Sequence, residues 1–238
     1  MPRHTTMNNF INSQVRQWQA RKDKIELSDT QQTPLAPFIT ISREYGSGGF
    51  EIGAKIAEIL NTENGSDKIW AAYDRELINK VMDDTGLSSS LTHTLTSNAR
   101  KNLTNLIQTS FSTFPPQVSV YLKLVETIRI MAVNGNVILV GRASNVITRD
   151  LKRGFHVRVT APLEWRIKRI SDLMKLSRKD AEKLINEKNR ERDRFVKEYI
   201  KFDPEDPHNY DFCLNNRKFS TEEAARLIIA GMKIKGLI

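Results

Sequence analysis

The stretch Phe38–Leu60, FITISREYGSGGFEIGAKIAEIL, decides the fold. Its apolar run to Ser42 reads as a strand, and Ile52, Ile56, Ile59 and Leu60 then recur at helical spacing. Between them, Arg43-Glu44-Tyr45-Gly46-Ser47-Gly48-Gly49 can curl its backbone amides around a phosphate where the helix dipole adds positive potential. Glycines suit such a loop because they accept positive φ and place no Cβ in the way. Against the phosphate-loop pattern G-x-x-x-x-G-K-[ST], Gly48 matches the second glycine. Gly49, however, stands at the lysine and Phe50 at the hydroxyl that holds magnesium. An ordinary glycine-rich turn fits the same letters, and the stretch alone leaves the two readings level.

Outward from this stretch, short apolar runs alternate with helical patterns: Phe38 to Ser42, Lys68 to Tyr73, Val137 to Val140, Phe155 to Val159 and Asp211 to Leu214. Such alternation predicts a parallel sheet covered by helices on both faces. Leu124, Val125, Ile128, Met131 and Ala132 mark a helix that Gly135 stops, and Ser177/Asp180 and Ser220/Glu223 read as capping boxes opening two more. Residues 1–36, rich in Gln, Asn, Thr and charge, read as an N-terminal arm with a short helix near Val15 to Ile25 carrying Trp18. Residues 88–117, polar and broken by Pro115 and Pro116, read as an insertion within a domain spanning 37–238.

The chain has 238 residues and a formal net charge of +9, enough length for a full core and a balance that suits polyanionic partners. Cys213 is its only cysteine, so no intramolecular disulfide or cysteine-clustered zinc site can form, which suits a reducing cytoplasm. No apolar run approaches the roughly 20 residues of a membrane span, so the expectation is a cytoplasmic protein without a membrane partner.

Four further positions speak for an anion. In the helix from Arg178 to about Ile200, Ala181, Leu184, Ile185, Phe195, Val196 and Tyr199 share one face, and Lys188 and Arg192 fall in its middle. Two cations interrupting an apolar stripe are costly to desolvate unless an anion joins them; snorkelling to solvent or pairing with a carboxylate is the plainer alternative. Gly141-Arg142 directly follows a strand, at the sheet edge where ligands of parallel sheets gather. Arg166 sits inside the arc of Ile170 and Leu173, whereas Arg169 lies nearer its edge. Asp74, ending the second strand, can accept hydrogen bonds from a base or ribose, or simply cap the helix that follows.

Taken in order, ITISREYGSGGFEIGAKIAEIL, YDRELINKV, VILVGRASNVI, HVRVTAPLEWRIKRI, NRERDRFVKEYI and YDFCLNN resemble the cytidylate kinase-like family of nucleoside monophosphate kinases. The resemblance implies a three-layer P-loop α/β sandwich with a five-stranded parallel sheet and a basic helical lid at residues 175–203. It implies Mg-ATP-dependent phosphoryl transfer to a small nucleotide, CMP or dCMP first. By resemblance, Gly46, Ser47, Gly48, Gly49 and Phe50 bind ATP; Asp74, Arg142 and Arg166 meet the acceptor; and Arg142, Lys188 and Arg192 are catalytic. No residue is assigned to metal binding.

The chain departs from the family at Phe50, where arginine is frequent, at Asn189 in the lid, where aspartate is frequent, at Asn215-Asn216-Arg217, where Asn-Thr-Asp is usual, and at Ala143, where ordinary cytidylate kinases carry aspartate. Phosphoryl transfer relies on positioning and on cations. Lys188, Arg192, Arg142 and Arg43 are candidates to replace the loop lysine, while Lys55 lies too deep in its helix. Magnesium then needs Ser47, or the phosphates and water alone. The alternative function is a catalytically silent nucleotide-binding protein with a degenerate P-loop. A nucleic-acid partner is not indicated, since interleaved aromatics and reader motifs are missing. The oligomeric state is left open.

Overall fold

The computed structural model describes residues 13–20, 22–23, 36–64, 69–83, 89–90, 92–95, 119–199 and 203–238. Its strands are β1 (Phe38–Arg43), β2 (Ala71–Tyr73), β3 (Val137–Val140), β4 (Gly154–Thr160) and β5 (Phe212–Asn215). Its helices are α1 (Gly49–Asn64), α2 (Arg75–Asp83), α3 (Ser119–Asn134), α4 (Ser144–Ile147), α5 (Leu163–Met174), α6 (Arg178–Tyr199) and α7 (Thr221–Ile234). Each expected strand is present; the second is shorter than its apolar run, and Lys68 lies outside the described residues.

All five strands are parallel, in the order β2-β3-β1-β4-β5. Ile39 is flanked by Ile138 on one side and Phe155 on the other. β3 is buried along its whole length, as expected of a strand covered on both faces. Ile41, Ile52, Ile56, Val140, Ala224 and Ile228 close the core under α1 and α7. Leu77, Ile78, Val81, Leu124, Ile128 and Leu139 close the opposite face under α2 and α3. Each fully buried isoleucine or leucine contributes about 1.5–3 kcal/mol, so this double-faced core fixes which strand ends lie together. The carboxyl end of β1 sits between those of β3 and β4, at the point where the chain changes direction across the sheet.

The helix boundaries follow local chemistry. Ser220 and Glu223 form the reciprocal capping box on α7. At α6, the Asp180 amide donates to Ser177 Oγ at 3.2 Å, while Ser177 Oγ donates to the Asp180 carboxylate. Ala181 and Ile185 are buried against Ile167 and Ile170 of α5, with Leu184 and Tyr45 packed beside them. The apolar side of α6 therefore faces the neighbouring helix and the glycine loop. Phe195, Val196 and Tyr199, read onto the same face, lie outside the residues with described side chains.

The N-terminal region is not a detached arm throughout. Residues 13–20 are helical and docked on the sheet. Trp18 is buried in the core and its indole N–H donates to the Gly135 carbonyl. The fully buried Gln14 amide donates to the carbonyls of Ile69 and Asn136, and the Tyr73 hydroxyl donates to its Oε1. A polar segment is thus held by satisfying buried carbonyls that precede β2 and β3. Most of the expected 88–117 insertion lies outside the described residues; within it, Leu95 joins the core below α2 and α3.

Candidate functional site

The glycine loop is held by a dense set of hydrogen bonds from its neighbours. As β1 ends, the Glu44 amide donates to Val159 O at 3.2 Å, and the Glu44 carboxylate accepts from the Ala161 amide at 2.9 Å. Ser47 Oγ lies within hydrogen-bond distance of the carbonyls of Glu44 and Val159, and the Ser47 amide donates to Glu44 O. Asn216, in the turn after β5, donates its side-chain amide to Ser47 O at 2.7 Å. Gly46 and Gly48 take φ of 83° and 86°. There an added Cβ would also lie 3.0 Å from Ile170 Cγ1 and 2.8 Å from Asn216 Nδ2, respectively. Both conditions select glycine.

This scaffold leaves the concave side of the loop open to a ligand. Among the described residues, the amides of Gly46, Gly48, Gly49, Phe50 and Glu51 donate to no protein acceptor. They gather where α1 begins, and a phosphate would satisfy them. Ser47 differs from its neighbours, since its hydroxyl and amide both support the loop. Phe50, at the lysine-adjacent hydroxyl position, is 37% exposed in the first turn of α1.

Arg166, expected by resemblance to meet the acceptor, is engaged by protein partners. It is buried, with Nε donating to Ala161 O at 2.8 Å, Nη1 to Tyr45 O, and Nη2 to the Glu44 carboxylate. Position in an apolar arc identified a buried cation; its partners are two loop residues, Glu44 and Tyr45, and Ala161 after β4. Asp74 takes its capping role: Oδ1 accepts from the Leu77 amide at 2.9 Å, opening α2. Its negative charge also acts favourably on Arg43.

Around the end of β1, three arginines meet. Arg192 reaches from α6 so that Nη1 donates to Arg43 O at 3.3 Å, with its guanidinium 5.2 Å from the Tyr45 ring centroid. Arg142 donates to Asn79 Oδ1 at 2.7 Å, while its Nε is buried without a hydrogen-bond partner. Burial and the nearby Arg75 push its pKa down. Gly141, Arg142 and Ala143 all have positive φ, at 83°, 55° and 52°. The step after β3 is therefore a left-handed run, a strained conformation for two of its three residues. Arg43, the last residue of β1, completes the group. Burial lowers its pKa to about 9, with Arg192, Arg142 and Arg75 contributing in the same direction and Asp74 opposing them.

Lys188 lies on the partly exposed side of α6, paired with Glu191 at 3.0 Å, so the plainer reading of this cation holds in the ligand-free chain. Asn189, the lid departure, accepts from the Tyr45 amide at 3.2 Å and ties α6 to the loop. Lys55 pairs with Glu58 and stays off the site. Arg43 and Asn189 are the residues whose placement the sequence reading did not resolve. A signal for Arg43 was available, since it occupies the first glycine position of the same motif whose lysine is missing.

The loop fits the phosphates of a nucleotide, but the protein donors present do not fit a magnesium anchor. Ser47 is fully buried with its Oγ turned to the Glu44 and Val159 carbonyls, and Phe50 has no oxygen in its side chain. Among the described residues no cluster of three His, Cys, Asp or Glu is poised to hold a metal.

With this geometry in view, a family model described as the cytidylate kinase-like family matches residues 38–218. The chain belongs to that family. As a cytidylate kinase-like protein it is a nucleotide kinase-like chain. A crystal structure of an uncharacterized protein from Eubacterium ventriosum is similar to it, with 22% identity over 83% of this chain and 98% of the other and a TM-score of 0.63. That likeness concerns the fold. An APS kinase from Mycobacterium tuberculosis aligns at 14% identity over 84% of this chain and 99% of its own, with a TM-score of 0.44. A shikimate kinase from Bacteroides thetaiotaomicron aligns at 12% identity over 83% and 98%, with a TM-score of 0.40. A search of curated proteins gave no match. Among the described residues, no helix is long and apolar enough to cross a membrane.

Proposed function

We propose that this cytidylate kinase-like protein is a nucleoside monophosphate kinase that transfers the γ-phosphoryl group of ATP to a small nucleotide, with CMP or dCMP the first candidates. The observation that carries the reading is the pairing of unsatisfied loop amides with a convergent group of arginines at the ends of β1 and β3. The amides of Gly46, Gly48, Gly49 and Phe50 would hold ATP phosphates. Arg142 would meet the acceptor phosphate, whose oxygen attacks the γ-phosphorus as the bond to the β-phosphate oxygen breaks, giving ADP and a nucleoside diphosphate. Arg192 would neutralise charge on the moving group, since such transfer depends on positioning and electrostatics. Lys188 would join it only by leaving Glu191. Magnesium would arrive with the nucleotide, held by phosphate oxygens and water.

The test is nucleotide conversion followed by chromatography, with Mg-ATP and a panel of ribo- and deoxyribonucleoside monophosphates. Diphosphate formation that Arg142→Ala and Arg192→Ala each reduce by at least 100-fold is the expected result. No diphosphate from any acceptor, with ATP binding intact, would sink it. A second reading, a catalytically silent nucleotide binder, is favoured by one observation: Phe50 and the committed Ser47 hydroxyl leave the loop without a magnesium ligand. ATP that raises the melting temperature yet yields no product would select it.

A further inference from the structure

We infer that Arg43 replaces the missing phosphate-loop lysine, so that the loop's cation enters from the motif's first glycine position instead of the position after its last. This deepens the kinase reading and rests on it for its catalytic meaning, but the anion contact itself can be tested separately.

Sterics give the first argument. A Cβ added at Gly49, where the lysine belongs, would lie 3.0 Å from Arg43 Cβ and 3.1 Å from Cγ. These atoms are the base of the side chain, fixed to the end of β1, and cannot swing aside as a terminal group could. The Arg43 stem thus occupies the space through which a lysine from position 49 would leave the backbone. The two residues are a matched exchange: a side chain where the motif has glycine, and glycine where it has lysine.

The second argument is the state of the guanidinium. Its head lies against Gly141, where an added Cβ would overlap Nη1 and Cζ. It therefore bridges from the loop to the Gly141-Arg142 step, the two sides of the proposed site. Among the described residues this guanidinium donates no hydrogen bond and forms no close ion pair. A half-buried cation without a protein acceptor is poorly compensated, and Arg192, Arg142 and Arg75 around it add repulsion that Asp74 alone opposes. A polyphosphate supplies both the acceptors and the charge. The planar fork suits phosphate oxygens, which it can bind in pairs, so the exchange substitutes one phosphate-binding cation for another.

The experiment uses the full chain and inorganic pyrophosphate in metal-free buffer, read by calorimetry and thermal shift, alongside the nucleotide-conversion assay. Arg43→Met keeps the apolar stem over Gly49 and removes the charge. We expect it to raise the melting temperature of the ligand-free protein and to weaken pyrophosphate binding on the order of 10- to 100-fold. The paired exchange Arg43→Gly with Gly49→Lys should bind pyrophosphate more tightly than Arg43→Gly alone. Arg226→Ala, remote and exposed, should leave both readouts unchanged. Pyrophosphate binding by Arg43→Met within twofold of the parent, or by no form of the protein, would overturn the inference. Turnover that survives Arg43→Met would overturn it while leaving the kinase reading intact. Arg43-dependent pyrophosphate binding without diphosphate formation would sink the kinase reading and leave Arg43 as the phosphate-holding cation.

Discussion

Arg166 ties the glycine loop to the turn after β4 through a single side chain. Its three nitrogens reach Ala161 O, Tyr45 O and the Glu44 carboxylate, so its removal would leave a partly buried carboxylate and two carbonyls short of donors. Arg166→Ala should therefore destabilise the ligand-free protein by about 2–4 kcal/mol in denaturant unfolding, because breaking a buried pair strands its partner. A residue that only met substrate would leave the unfolding midpoint unchanged. Sequence position could mark Arg166 as a cation on a buried arc but could not say which acceptors lay across from it, since Glu44 is over 100 residues away in the chain. Asp74 was equally double in the sequence, and the closeness of the Leu77 amide shows that one of its oxygens caps α2. Arg43 was one of four candidates for the missing cation and could not be singled out, because it ends an apolar strand, where alternation says nothing about what a terminal side chain crosses.

At the scale of elements, the decisive feature is the left-handed step Gly141-Arg142-Ala143 between β3 and α4. It turns the chain so that Arg142 reaches Asn79 of α2, and Ser144 secures the turn through its amide to Gly141 O and its hydroxyl to Leu139 O. Gly141→Ala should cost about 1–2 kcal/mol for the left-handed backbone. It should also displace the Arg43 head, weakening pyrophosphate binding as Arg43→Met does; a loss of stability with unchanged pyrophosphate affinity would separate the two sites. Behind the step, Arg129 clamps α4 to α3 through Ile147 O and a bidentate contact with Asp150 at 2.7 and 2.9 Å. The hydrogen bonds from Arg129 hold the Asp150 carboxyl below its usual 3.8 despite partial burial. A depressed carboxylate stabilises the fold fully above its unfolded value, and that contribution fades as pH falls through the lower, folded value. Asp150→Asn should thus lower the melting temperature at pH 7, and its difference from the parent should vanish in acid below that range. An equal difference at pH 7 and pH 2 would contradict the clamp. The strand runs and capping boxes were legible because they rest on local periodicity and local hydrogen bonding. The left-handed step was legible only as a glycine, since two of its three residues are not glycines and carry no sequence mark of positive φ.

Across the whole molecule, the two ends of the sheet carry separate duties. The carboxyl ends of β1 and β3 carry the arginines of the candidate site, and residues 13–20 staple the amino ends of β2 and β3 through Gln14 and Trp18. This staple was not legible, because a segment rich in amides reads as solvated until the buried carbonyls it satisfies are known. Trp18 packs in the core under α2 and α3 while its N–H meets Gly135 O, just before the four-residue β3. At about 3.3 Å per residue, such a strand separates the staple from Gly141 by roughly 13 Å of sheet. Trp18→Ala leaves a cavity and an unpaired carbonyl, and it should destabilise the protein by about 3–5 kcal/mol. Because the core transmits little of a cavity to a rigid strand end, pyrophosphate affinity measured well below the melting temperature should stay within about threefold of the parent, less than the tenfold that 1.4 kcal/mol represents. A Trp18→Ala protein that lost pyrophosphate binding at a temperature where it remains folded would show instead that the staple sets the register of β3, and through it the position of Arg142.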